Sequence, residues 1–225
     1  MTLVKAVVLD LDGTLVDTPR AIATITGRIL EEFGVSRPES DIVRTVGKPL
    51  DHNFAYLLDR PLDHPDIVKA AAAYRDRFGQ YVKENRDKLL YPGVVDGLRE
   101  LRRRGHRLAV ATSKTYEGAI KTVRATGIED LFDGVAGHDS VARGKPEPDL
   151  AIFAAGLLGV VPSSCVSVGD GVGDMQMGRS AGMFNVGVSY GVATAEELLQ
   201  AGADVIADGF PEVVEAVTGR LDALR

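Results

Sequence analysis

The strongest constraint on the fold is an alternation of helices with short apolar strands after Tyr91-Pro92-Gly93. Strand–helix–strand units of this kind form a mostly parallel sheet with helices on both faces. The pattern therefore predicts an α/β fold with a Rossmann-like core. Helices are expected at 94–103, 116–125, 149–158 and 172–181, and strands at 107–112, around Val135, at 165–168 and at 185–188.

The first strand of this sheet lies far from the others along the chain. Residues 6–11 form a short apolar run typical of a buried strand. From Thr18 to about Leu90 the spacing of apolar residues is helical, with Thr18 as the expected N-cap before a proline. We therefore expect an all-helical insert directly after the first strand. The predicted domains are a core of 1–15 and 91–225 and a helical cap of 16–90.

Composition limits the classes of partner. The chain has 225 residues, a net charge of −6 and 45% hydrophobic residues, which is enough to build a packed core. The negative charge argues against non-specific binding to nucleic acid or to a membrane surface. No apolar stretch is long enough to span a bilayer, and the apolar N-terminus lacks the cleavage site of a signal peptide. A cytoplasmic location is expected.

Polar side chains follow the predicted strands where these strands end. Ligands of doubly wound sheets bind outside the carboxyl ends of the strands, so four groups from distant parts of the chain should meet at one edge. These groups are Asp10 with Asp12, then Thr112 with Ser113 and Lys114, then Lys145, and finally Asp170 with Asp174.

The residue types in these groups suit phosphate chemistry. Asp10, Asp12 and Asp170 offer hard oxygen ligands for Mg²⁺, and without a cation they would repel one another. Lys145 and the Thr112 hydroxyl can hold phosphate oxygens. Asp10 would be the nucleophile, and Asp12 would protonate the leaving oxygen and later activate water. The prediction is a Mg²⁺-dependent phosphohydrolase that acts through an aspartyl-phosphate.

Four motifs resemble those of the haloacid dehalogenase superfamily and come closest to its phosphoglycolate-phosphatase-like members. They are DLDGTLVDT at 10–18, ATSK at 111–114, GKPEPD at 144–149 and VGDGVGDM at 168–175. The resemblance implies the same roles for Asp10 and Asp12, and it assigns phosphate binding to Thr112 and Lys145. The implied Mg²⁺ ligands are Asp10, Asp170 and the backbone carbonyl of Asp12. Asp174 would support the metal's waters, and the helical insert would be a mobile cap.

Two positions depart from the family pattern. Ser113, which we include among the substrate-binding residues, replaces the more usual Asn, and Gly171 stands where Ser or Thr is common. Asp12 favours phosphoryl transfer over dehalogenation, because dehalogenases of this fold lack the second aspartate.

The substrate is open at this stage. The resemblance points to a small phosphorylated metabolite such as 2-phosphoglycolate. A phosphosugar mutase and a catalytically silent binding protein are the alternatives. Gly47 and Lys48 in the helical insert either face the site or belong to a solvated loop. A monomer or a homodimer is expected.

Overall fold

The structure, a computed structural model, describes residues 5–223. Its centre is one sheet of six parallel strands in the order β3-β2-β1-β4-β5-β6. The predicted parallel α/β core is therefore confirmed. The strands are β1 Ala6–Leu9, β2 Arg107–Ala111, β3 Gly134–Ala136, β4 Cys165–Gly169, β5 Phe184–Val188 and β6 Val205–Ala207.

Strand β1 lies at the middle of the sheet. Leu9 is in register with Val110 of β2 on one side and with Val168 of β4 on the other. All four residues of β1 are buried, as expected for a central strand of a parallel sheet. The strand is shorter than the predicted 6–11 because the backbone turns after Asp10. The carbonyl of Leu11 accepts a hydrogen bond from the amide of Leu15 at 2.9 Å.

Four α-helices lie between β1 and residue 86, and the structure has no named strand in this stretch. They are α1 Pro19–Glu32, α2 Glu39–Val43, α3 Leu50–Leu58 and α4 Pro65–Asn85. We call residues 19–85 the helical block. Its entry and exit lie side by side, because Val16 and Leu90 form an isolated antiparallel bridge.

The remaining helices cover the sheet, and those predicted from the sequence lie within one residue of their expected bounds. They are α5 Val94–Arg103, α6 Tyr116–Ala125, α7 Asp149–Leu157, α8 Val172–Ser180, α9 Ala195–Ala201 and α10 Phe210–Ala223. The sequence analysis made no prediction for β6, α9 and α10. Within residues 5–223, no helix is long and apolar enough to cross a membrane.

The two faces of the sheet carry different cores. On one face Val7, Leu9 and Val110 belong to a large cluster that includes α5, α10 and the helical block. On the other face the smaller residues Ala6 and Val8 pack in a cluster with α7. Alternation of side chains along β1 produces this division, since successive residues of a strand point to opposite faces.

Helices α5 and α10 approach closely enough to require a glycine. A Cβ atom at Gly97 would lie 2.6 Å from a ring carbon of Phe210 and 2.8 Å from a methyl group of Val214. Gly219, also in α10, has nothing within 4 Å of its Cβ position. The two helical glycines therefore differ only in what surrounds them.

We predict opposite effects of alanine at these two glycines. Gly97→Ala should lower the free energy of unfolding by about 1–3 kcal/mol, because overpacking outweighs the gain in helix propensity. Gly219→Ala should raise it by up to about 1 kcal/mol, since only the propensity changes. Urea denaturation of both variants measures the difference. Stabilisation by both changes would contradict the close packing of α5 on α10.

Candidate active site

The site is built around three buried aspartates at the carboxyl ends of β1 and β4. Asp10 directly follows β1, and its amide donates to the carbonyl of Val168 at 2.9 Å. Asp170 follows β4, and Asp174 lies in the first turn of α8. Their exposed fractions are 4%, 3% and 4%, and one oxygen from each lies within 4.8 Å of the others. Neighbouring parallel strands therefore bring together carboxylates that are 160 residues apart.

Lys145 supplies the positive charge of this cluster. Its Nζ lies 2.7 Å from Oδ1 of Asp10 and 2.5 Å from Oδ1 of Asp174. Burial alone would lower the pKa of Lys145, but the two carboxylates raise it above its ordinary value. The side chain is therefore a fixed cation in contact with Asp10.

One ammonium does not offset three buried carboxylates. Burial raises the pKa of Asp10 to about 7, against the opposing effect of Lys145. Burial, followed by the charges of Asp10 and Asp174, also raises the pKa of Asp170 well above its usual range. With three carboxylates and one contacting lysine, the fully ionised cluster carries excess negative charge. A divalent cation binds where hard carboxylate oxygens meet and where their negative charge is not neutralised by other groups. The residues present therefore fit a metal site.

Donors from the surrounding loops hold Asp170 in place. Thr14 Oγ1 donates to Oδ1 of Asp170 at 3.0 Å, and the amide of Val192 donates to Oδ2 at 2.9 Å. Two glycines allow the chain to pass close by, because a Cβ at Gly13 or Gly191 would lie 2.1–2.2 Å from an Asp170 side-chain atom. Gly13 also has a φ of 83°, a conformation that favours glycine. These contacts orient the carboxylate independently of any ligand.

For Asp174 the sequence analysis predicted only a supporting role, in which it contacts the waters of the metal. Its carboxylate contacts Lys145, and its Oδ2 accepts a hydrogen bond from the amide of Gly171 at 3.0 Å. The carboxylate cluster thus comprises Asp10, Asp170 and Asp174. Asp12 was predicted as a third metal residue, but its carboxylate is engaged in other contacts. Its backbone carbonyl, which the resemblance implies as the ligand, is not engaged by them.

Both carboxylate oxygens of Asp12 have partners. Oδ1 accepts a hydrogen bond from Thr18 Oγ1 at 2.5 Å, and Oδ2 lies 2.9 Å from Lys114 Nζ. Thr18 is the N-cap residue of α1, as predicted, but its side chain makes no capping hydrogen bond and turns to Asp12 instead. The sequence placed Lys114 among the polar groups at the sheet edge without a role.

Thr112 and Ser113 stand at the end of β2. The amide of Thr112 donates to the carbonyl of Ala136 at 3.0 Å, which extends the pairing of β2 with β3 by one residue. The Thr112 hydroxyl accepts from the amide of Lys114 at 3.3 Å. Thr112 is buried and Ser113 is half-buried, and both line the same cavity as Asp10 and Asp12.

That cavity has a volume of about 840 Å³ and lies between the sheet edge and the helical block. The sheet edge contributes mainly polar groups, whereas the block contributes apolar side chains such as Ile22, Phe54 and Phe78 together with charged ones such as Arg75 and Lys83. Gly47 and Lys48 also line it, so this loop faces the site rather than only the solvent. The arrangement places the carboxyl groups of Asp10 and Asp12 at a space that can hold a small molecule, with the Lys145 ammonium in contact with Asp10.

Known proteins share this sequence and architecture. Residues 7–188 match the family model described as haloacid dehalogenase-like hydrolase. A protein of Dickeya dadantii named "Probable phosphatase IndB" is 37% identical over 211 residues, which cover 93% of this chain and 92% of that protein. A protein of Nitrosospira multiformis named phosphoglycolate phosphatase is 32% identical over 221 residues, which cover 95% of this chain and 96% of that one.

A solved structure described as a "predicted phosphoglycolate phosphatase", from Haemophilus somnus 129pt, has the same fold. It superimposes with a TM-score of 0.82 at 26% identity, covering 96% of this chain and 99% of that one. The family that the four motifs predicted is therefore confirmed by a match across most of the chain. This chain belongs to the haloacid dehalogenase-like hydrolase family.

Proposed function

We propose that this protein is a Mg²⁺-dependent phosphatase that hydrolyses a small, phosphoglycolate-like phosphate monoester through an aspartyl-phosphate on Asp10. The observation that carries the proposal is the contact of Asp10 with the buried ammonium of Lys145, at the base of a cavity that also contains Asp12. Membership of the family and the relatives named as phosphatases support it. These names also favour hydrolysis over a mutase reaction.

In the first step the Asp10 carboxylate attacks phosphorus, a bond forms between its oxygen and phosphorus, and the bond to the ester oxygen breaks. Lys145 favours the ionised form of Asp10, with the positive charge of the metal acting in the same direction, and it stabilises the charge on the phosphoryl oxygens. Thr112 and Ser113 hold those oxygens through hydroxyl groups. Asp12 gives its proton to the leaving alkoxide.

In the second step Asp12, now a carboxylate, takes a proton from water. The water oxygen bonds to phosphorus and the bond to Asp10 breaks, which releases phosphate and restores both aspartates. Mg²⁺, held by Asp10, Asp170 and the Asp12 carbonyl with Asp174 supporting its waters, would supply positive charge against the anionic phosphate.

We propose that the helical block serves as a cap, with the domain limits 1–15 and 91–225 for the core and 16–90 for the cap. Support comes from the cavity, which the block covers with apolar side chains. Covering the site would exclude water before the leaving group departs. A cytoplasmic location and a monomeric or homodimeric state stay predictions from the sequence.

Removal of divalent cations should abolish turnover. Within the described part of the chain, Lys145 is the one basic side chain paired with the three buried carboxylates, so without a metal the phosphate would enter a site of excess negative charge. Treatment with EDTA should stop phosphate release and added Mg²⁺ should restore it. Ca²⁺ should inhibit, because its looser coordination shell would let Asp10 chelate the metal rather than attack. Full activity in EDTA would refute the metal assignment.

Lys145→Ala should lower kcat/KM by a hundredfold or more, roughly 3 kcal/mol, since it removes charge that stabilises the transferring group. The matched control is Lys69→Ala in α4, an exposed lysine that does not line the cavity. The control should leave kcat/KM unchanged. Circular dichroism of both variants checks that the fold is retained. An active Lys145→Ala enzyme would contradict the role of this lysine.

The two aspartates should differ in a phosphoenzyme assay. Asp10→Asn removes the nucleophile, so no adduct should form. Asp12→Asn keeps the nucleophile but removes the base that activates water, so with p-nitrophenyl phosphate an adduct should accumulate. An alkyl phosphate should react far more slowly in this variant, because its alkoxide needs protonation. Mass spectrometry of acid-quenched protein measures the adduct. A phosphorylated Asp10→Asn protein would exclude Asp10 as the nucleophile.

A further inference from the structure

Asp12 is held from two sides in this structure. Thr18, at the start of the helical block, donates to one carboxylate oxygen at 2.5 Å. Lys114, at the end of β2, approaches the other oxygen at 2.9 Å. A carboxylate with a partner on each oxygen cannot rotate freely about its side chain, so its orientation is set by these two residues.

Lys114 is itself held firmly. Its amide donates to the Thr112 hydroxyl at 3.3 Å, and its carbonyl accepts from the amide of His138 at 2.8 Å. The side chain is 15% exposed and that of Asp12 is 9% exposed, so the ion pair is largely removed from water. Water screens such a pair poorly, and the ammonium therefore acts on Asp12 with more force than a surface lysine would.

The ammonium also contacts the helical block. Lys114 Nζ lies 4.0 Å from the centre of the Phe78 ring, a cation–π distance. Phe78 is buried in α4 and stacks on Tyr74, with 5.5 Å between ring centres and 8° between ring planes. The ring is thus fixed within the block. The Lys114 ammonium therefore contacts both Phe78 of the helical block and Asp12, the proposed acid/base at the sheet edge.

We propose that Lys114 is a positioning residue that orients the Asp12 carboxylate, and that Phe78 of the helical block holds Lys114 in place for it. The proposal rests on the proposed function, in which Asp12 transfers the proton. Lys114 takes no part in bond making. Its effect should appear only where proton transfer from Asp12 limits the rate.

Esters with different leaving groups separate this role from others. The rate of Asp10 phosphorylation is measured by rapid quench with an alkyl phosphate, which needs the proton, and with p-nitrophenyl phosphate, which needs little. Lys114→Met should lower the rate of phosphorylation by the alkyl ester about ten- to a hundredfold, which is the effect expected of a misplaced catalytic group. The rate with the aryl ester should fall by less than about threefold. The concentration of alkyl ester at half-maximal rate should change by less than about twofold.

Three further variants sharpen the test. Lys114→Arg keeps the charge and should recover most of the alkyl rate. Phe78→Leu keeps apolar bulk without the ring and should slow the alkyl ester selectively, by about three- to tenfold, because a less well-held Lys114 leaves Asp12 less well aligned. The control is Lys69→Met, a change at an exposed lysine of α4 that does not line the cavity, and it should leave both rates unchanged.

Equal losses on both esters in Lys114→Met, with a higher concentration needed for half-maximal rate, would mean that Lys114 binds the phosphate group and would overturn the proposal. Unchanged rates in Lys114→Met would also overturn the proposal. A faster reaction with the alkyl ester would overturn it too, because it would mean that the ion pair hinders proton transfer from Asp12. A failure of the proposed function is distinct, because the unmodified protein would then form no phosphoenzyme with either ester.

Discussion

The structure depends on burying three carboxylates at the ends of two adjacent parallel strands. One oxygen from each of Asp10, Asp170 and Asp174 lies within 4.8 Å of the others, and among residues 5–223 only the basic side chain of Lys145 forms an ion pair with this cluster. Burial of like charges is costly unless partners surround them. The surrounding loops supply such partners. The carboxylate oxygens accept hydrogen bonds from the Thr14 hydroxyl and from the amides of Val192 and Gly171. Glycines allow these loops to approach closely. The excess of negative charge that is left is the feature by which this cluster fits a bound cation.

The helical block completes the site from the other side. Thr18 at its start and Phe78 in its longest helix lie against the Asp12–Lys114 pair. The cavity between block and sheet therefore has a polar base made by the sheet edge and walls of mixed apolar and charged side chains made by the block. The residues that we propose to perform the chemistry lie at the sheet edge, whereas the shape of the space above them depends on the block.

Much of the fold could be predicted because its signals are local. The buried strand β1 and helices α1 to α8 follow from apolar periodicity, which depends only on neighbouring residues. The C-terminal elements were not predicted. Strand β6 has three residues at the edge of the sheet and carries too short an apolar run to be distinctive. Helix α10 is different, because its buried residues Phe210, Val213, Val217 and Leu221 recur at a helical spacing that the sequence does contain.

The sequence by itself determined which chemical groups stand at the strand ends, and hence that Asp10, Asp12, Thr112, Lys145 and Asp170 belong to one edge of one sheet. Only the tertiary structure decided their pairing. It made Asp174 the third carboxylate of the cluster, directed the Thr18 hydroxyl to Asp12 and placed Lys114 between Asp12 and Phe78. Such contacts depend on the order of the strands and on the side-chain rotamers adopted within a packed core. Strand order and rotamers are determined by interactions between residues far apart in the chain, so no local sequence pattern encodes these contacts.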